Sequence, residues 1–170
     1  MNAQNAQSGV GEAAVSTERL IALELRRAVA READSLTELA QQVLKEIGET
    51  NLANNQINGM LAIANTADKI ADITRFLEKQ GSRREPWQRY SERLLTLIRG
   101  NVLDRAKTVA REVAEQVRDY HQRSSEDDKP QVDALTDQRR RLPEVHLLLV
   151  REFVQSFGIG YLYNFSKERT

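Results

Sequence analysis

Apolar side chains recur at steps of three and four along nearly the whole chain. That spacing lines one face of a helix, because an α-helix turns once per 3.6 residues. Leu20, Leu23 and Ala28 open the pattern, and Leu36, Leu39, Val43 and Ile47 continue it. Thr17 is placed to cap this stretch. Ser35 with Glu38 three residues later has the form of a capping box, so the stretch reads as two helices or one kinked helix. Gly48 is the expected stop. Ile57, Met60, Leu61 and Ala64 mark the next helix, and Ile70, Ile73, Phe76 and Leu77 another, with a break near Asn65–Ala67 and an end at Gly81. Pro86 suits the first turn of a further helix. Its buried stripe is Trp87, Tyr90, Leu94 and Leu97, and Gly100 is its expected stop.

Val102, Ala106, Val109, Val113, Val117 and Tyr120 form the cleanest stripe. A polar, acidic loop is expected near 122–132, then a short helix over Ala134–Leu142. Pro143 reads as the start of the last helix, where Val145, Leu147 to Val150, Phe153, Val154 and Phe157 are apolar almost all round. Such a helix is buried centrally. Gly158 and Gly160 are expected to end it, with Tyr161–Phe165 packing back. Residues 1–16 are small and polar and read as a flexible N-terminal tail. Residues 17–170 then form a single helical-bundle domain. No segment alternates strictly with β-branched enrichment, so the fold class is all-α, a compact bundle of five to seven helices.

Composition narrows the chemistry. The 170 residues hold no cysteine, which excludes disulfides, a thiol nucleophile and thiolate metal sites. No apolar run approaches the ~18 residues that span a bilayer, and the first twenty residues lack a basic start and an apolar stretch. The expectation is a cytoplasmic protein with no membrane attachment. His121 and His146 are far apart and begin no metal-binding pattern, so no metal and no cofactor are expected. Gly9-Val10-Gly11 lacks a preceding strand and is no dinucleotide loop. With no nucleophile–base set, the chain reads as a non-enzyme.

Charge adds a pattern. Lys+Arg and Asp+Glu number 25 each, so the net is zero, which argues against a uniformly basic nucleic-acid binder. The charge is nevertheless segregated: residues 1–80 carry a net of −3, 81–123 +4, 124–138 −4 and 139–170 +3. Most of the basic residues are Arg, which forks onto phosphates. On a wheel starting at Lys107, Arg111 and Arg118 fall at about 40° and 20°, whereas the apolar stripe lies at about 200–280°. Lys107, Arg111 and Arg118 therefore form a basic stripe away from the core. Arg89 and Arg93 lie one turn apart off the Trp87/Leu94 face, Arg83 and Arg84 precede them, and Arg139, Arg140 and Arg141 form a separate run. Spaced cations of this kind track a phosphate backbone without reading sequence. Solvated faces and intrahelical pairs, such as Asp104 with Lys107 or Arg111 with Glu115, account for the same pattern. The Arg139 run has the alternative role of capping a helix C-terminus.

The stretch from Asn55-Gln56-Ile57 to Trp87, with Phe76, Gln80 and Arg83, resembles the small helical subunits of type III CRISPR effector complexes. In those proteins an Asn/Thr-Gln-Ile opening leads into a helix, and a later helix ends near an aromatic, a Gln and a basic residue. The Leu142–Tyr163 stretch, with Arg151-Glu152-Phe153, is similar to them too. The resemblance covers the central third and the C-terminal helix. It implies a non-catalytic subunit that stacks head to tail with copies of itself along the effector filament. The implied partners are the other CRISPR effector subunits, crRNA and target RNA, the duplex being held through basic surface residues. The alternative is a helical-bundle adaptor that binds only protein partners.

Overall fold

The structure is a computed structural model. It describes residues 5–48, 52–83, 86–124 and 136–165, with the backbone alone for 5–16 and Ser124. The elements in order are α1 (Asn5–Ile47), α2 (Asn54–Thr66), α3 (Ile70–Gly81), α4 (Trp87–Leu97), a π turn (Ile98–Val102), α5 (Leu103–Ser124) and α6 (Gln138–Phe165). Together they make an all-α bundle, with no strand among the described residues. No described helix is long and apolar enough to cross a membrane.

Three rods set the plan. The 43-residue α1 is about 65 Å long at 1.5 Å per residue. α4, the π turn and α5 run end to end as a second rod, and α6 is the third. Polar ties give their directions. Thr17 meets His121, Glu32 meets Arg105 and Glu46 meets Arg93, so the second rod runs antiparallel to α1. Glu18 meets Arg141 and Thr37 meets Ser156, so α6 runs parallel to α1. Gln155 donates to Asn65 and Arg151 to the Ala67 carbonyl, laying α2 antiparallel against α6. α3 folds back along α4, where Arg99 reaches Glu78.

α1 is one continuous helix, not two, and it starts at Asn5 instead of Thr17. The segment read as a tail is thus helical from Asn5 onward. Ile21, Leu25, Ala28, Leu36, Ala40 and Val43 are buried along one face that runs straight past Ser35. Glu32 occupies the interrupted position of that face and turns its carboxylate to Arg105 at 2.7 Å. Thr17, expected as a cap, is a buried mid-helix residue bonded to His121. Gly48 does end the helix, with φ at 76°, where a residue with a Cβ would be strained.

Beyond Gly48 an aromatic knot fastens the reversal. Tyr90 donates its hydroxyl proton to the Gly48 carbonyl at 2.8 Å, and the Leu52 N–H donates to the Tyr161 hydroxyl at 2.9 Å. Phe157 lies between them, its ring centroid 5.3 Å from that of Tyr90 in an edge-to-face contact. The knot joins the end of α1, the approach to α2, α4 and α6.

Three glycines expected as stops behave otherwise. Gly158 and Gly160 sit inside α6, which continues to Phe165, so Tyr161–Phe165 are its last turns and not a returning tail. They allow close helix approach. A Cβ on Gly158 would stand 2.7 Å from Leu61 Cδ2, and one on Gly160 2.9 Å from Leu44 Cδ1. Replacing Gly158 with Val is therefore expected to cost about 1–3 kcal/mol by overpacking, measurable by urea unfolding followed by circular dichroism. Gly100 lies within the π turn, with open space where a Cβ would stand, and the rod runs on through it.

α6 begins at Gln138, so Pro143 is an internal residue and not its first. The Asp137 carboxylate accepts the Arg139 N–H at 3.0 Å and caps the helix. The proline removes only the bond to the carbonyl of exposed Arg139, which faces water. The expected helix over Ala134–Leu142 is in its described part the start of α6. Of the acidic loop expected near 122–132, Gln122 to Ser124 are the end of α5, and the remainder lies outside the described residues.

Candidate nucleic-acid interface

The ten basic residues singled out by spacing have different fates. Arg93 donates two hydrogen bonds to Glu46, at 2.8 and 3.0 Å, and fastens α4 to α1. Lys107 pairs with Asp104 at 2.8 Å within α5. Arg141 is largely covered, its side chain 16% exposed, and it reaches Glu18 at 2.6 Å and Glu144 at 3.2 Å. Burial works against that charge, but the hydrogen bonds and charges of both carboxylates outweigh it and raise the guanidinium pKa. Arg93 and Arg141 are thus committed to the fold, whereas Lys107 holds only an exposed pair within its own helix. Arg118 is half-buried, and Arg89 is exposed on α4. Arg84 lies outside the described residues. Arg83 is exposed just past α3, and Arg111 is exposed on α5 without the expected pair to Glu115. The α5 stripe is thus not a row of three equivalent cations.

Arg139 and Arg140 are exposed, and their side chains have no ion pair among the described residues. They open α6 and so do not cap a helix C-terminus. A helix N-terminus carries partial positive charge, so two arginines stand there against the local electrostatic preference. The register set by Glu18 and Arg141 brings this start beside the Arg19 level of α1.

There the structure adds residues that the spacing argument missed. Arg19, Arg26 and Arg31 are exposed on α1, again with no ion pair among the described residues. On a wheel starting at Arg19, Arg26 falls at about 340°, and the buried Ile21, Leu25 and Ala28 fall at about 180–240°. Arg19 and Arg26 therefore face outward on the side nearer α6. Their signal was diluted because residues 1–80 as a block are net negative. Counting residues 19–31 alone exposes the run of Arg.

The residues that carry the family resemblance are mostly structural. Gln56 accepts the Trp87 indole N–H at 2.8 Å, Ile57 is buried, and Phe76 covers Gly59. Gln80 is buried with its Oε1 unpartnered. Arg151 serves the end of α2 through the Ala67 carbonyl. Of that set Asn55 and Arg83 stand exposed.

The histidines are structural as well. His146 lies within hydrogen-bond distance of the Ile98 carbonyl, 2.9 Å from its Nε2. A carbonyl can only accept, so Nε2 carries the proton. Burial pushes the imidazole pKa below its usual value and the nearby Lys107 charge adds to this, while the bond to Ile98 works in the opposite direction. Among the described residues no group of three His, Cys, Asp or Glu is placed to hold a metal ion.

Compared with protein-family models, with curated proteins and with solved structures, the chain matches none.

Proposed function

We propose that the chain is a non-catalytic, RNA-contacting small subunit of a type III CRISPR effector complex. The observation that carries this reading is the set Arg19, Arg26, Arg139 and Arg140, exposed at one end of an all-α bundle and outside any ion pair among the described residues. Guanidinium groups fork onto phosphates, and such contacts position a strand without reading bases. The resemblance of the Gln56–Trp87 stretch adds the type of complex, its partners being the other effector subunits, crRNA, target RNA and further copies of the chain.

Affinity purification of the tagged chain from its native host tests this, using wild type and a variant with all four arginines changed to Gln. Wild type is expected to carry guide RNA and large backbone subunits. The variant is expected to keep the protein partners and lose RNA. Four phosphate contacts would weaken duplex binding roughly a hundredfold between 50 and 200 mM salt, and the variant should lose that dependence. Recovery with protein alone would instead support the adaptor reading.

A further inference from the structure

The core stripe of α5 reaches Val117 and then steps to His121, which is tied to Thr17 of α1. The sequence pattern offered Tyr120 for that place. The step of four instead of three turns Tyr120 outward, where it stands 56% exposed. Leaving such a ring in water forgoes burial worth on the order of 2 kcal/mol. Yet the ring is oriented: the His121 imidazole meets it edge to face, with centroids 5.7 Å apart and planes 86° apart. Because His121 is itself held by Thr17, the ring is set in place before any partner arrives.

One cation stands beside it: Arg123 is exposed one turn further along α5, about 60° around the helix. Asp119 and Glu115 lie on another edge, about 100° and 140° around the helix from Tyr120. Tyr163 makes a useful contrast. It is 66% exposed, but its neighbour one turn back is Ile159, 62% exposed, so its setting is apolar.

We propose that Tyr120 is a stacking platform for an unpaired RNA base, so that this end of the bundle prefers single-stranded RNA to duplex. The inference rests on the RNA-contacting reading and adds the kind of strand. Bases inside a duplex are already stacked on one another, and an A-form helix offers side chains its phosphates, its 2′-hydroxyls and a shallow groove. A flat exposed ring finds a partner face only on a base that has been released. Such stacking is worth about 1–3 kcal/mol per base and tolerates any sequence. Arg123 then holds a neighbouring phosphate.

Fluorescence anisotropy of the full chain tests this, with labelled oligouridine of about 12 nucleotides and an RNA duplex of the same length, at about 50 mM salt. Wild type is expected to bind the single strand more tightly. Tyr120→Ser is expected to weaken single-strand binding by about 5- to 150-fold and leave duplex binding unchanged. Tyr120→Leu, which keeps the bulk but not the flat face, should behave like Ser, and Tyr120→Phe like wild type. Tyr163→Ser should change neither. Wild-type affinity for the single strand in both Tyr120→Ser and Tyr120→Leu would overturn the stacking site and leave the arginine interface standing. Failure of wild type to bind either RNA would overturn both.

Discussion

Replacing Phe157 with Ala is expected to destabilise the protein by about 3–5 kcal/mol, the range for emptying a closed aromatic site. Phe157 has no exposed surface, and its ring packs edge to face on Tyr90 and tilted against Tyr161 at 6.4 Å. Those two tyrosines carry the hydrogen bonds that fasten the chain reversal after α1. Neither can follow a shrinking neighbour without lengthening its own bond. The cavity therefore stays open, and the lost transfer energy and the cavity term add. In a chain of this size the loss corresponds to a fall in melting temperature of roughly 6–20 °C, read by circular dichroism. Ile159→Ala, two residues on but 62% exposed, should stay within about 0.5 kcal/mol. A Phe157→Ala variant that melts like wild type would mean that the knot does not hold the reversal.

The helical character and the buried faces were legible in the sequence because they depend on apolar spacing alone. Trp87, Tyr90, Leu94 and Leu97 are buried as their spacing predicts, and so are Val102, Ala106, Val109, Val113 and Val117. The boundaries were less legible where one residue type serves two purposes. Glycine ends a helix at Gly48 because the backbone there has positive φ. In Gly158 and Gly160 it admits a neighbouring helix. Only the packing partner distinguishes the two uses, and the partner is remote in sequence. The Ser35–Glu38 spacing misled in the same way. It has the form of a capping box but lies within one continuous helix, whose buried face is carried past it with Glu32 paired to Arg105 of the second rod.

The basic residues were legible as a class but not in their allocation. Arg93 and Arg141 look like Arg111 and Arg140 in sequence, yet the first two are spent on Glu46 and Glu18 across helix interfaces. A wheel registers only partners on the same helix, so it found the Asp104–Lys107 pair and could not see the others. The same limit hid that Arg19 and the Arg139–Arg140 start lie at one level, which depends on α6 running parallel to α1.

Deleting Gly100 is expected to leave the fold intact, whereas deleting Glu112 in the same rod should not. Leu94, Ile98, Val102 and Ala106 are all buried, at three successive steps of four. In a plain α-helix each step of four overshoots one turn by about 40°, so the three would drift by about 120°. The π turn at Ile98–Val102 takes up one extra residue, about 100° of rotation, and brings Ala106 back to the core within about 20°. With Gly100 gone, eleven residues separate the old Leu94 and Ala106 positions, which an ordinary α-helix also carries to within about 20°. The turn can then become α-helical with both flanks unmoved. The Ile98 carbonyl returns to the helix and His146 loses its acceptor, a cost of about 1 kcal/mol. Glu112 has no such reserve. Its removal turns either 103–111 or 113–124 by about 100°. The first takes Ala106, Val109 and Ala110 from the core, and the second Val113, Ala114 and Val117. In the second case the two buried valines alone represent roughly 3–6 kcal/mol, a large part of the stability of an ordinary domain. In the first the lost valine and two alanines come on top of the broken Ala106 register. Paired thermal melts of the two deletions decide the matter. Equal collapse of both would show that the π turn does not absorb a residue of register.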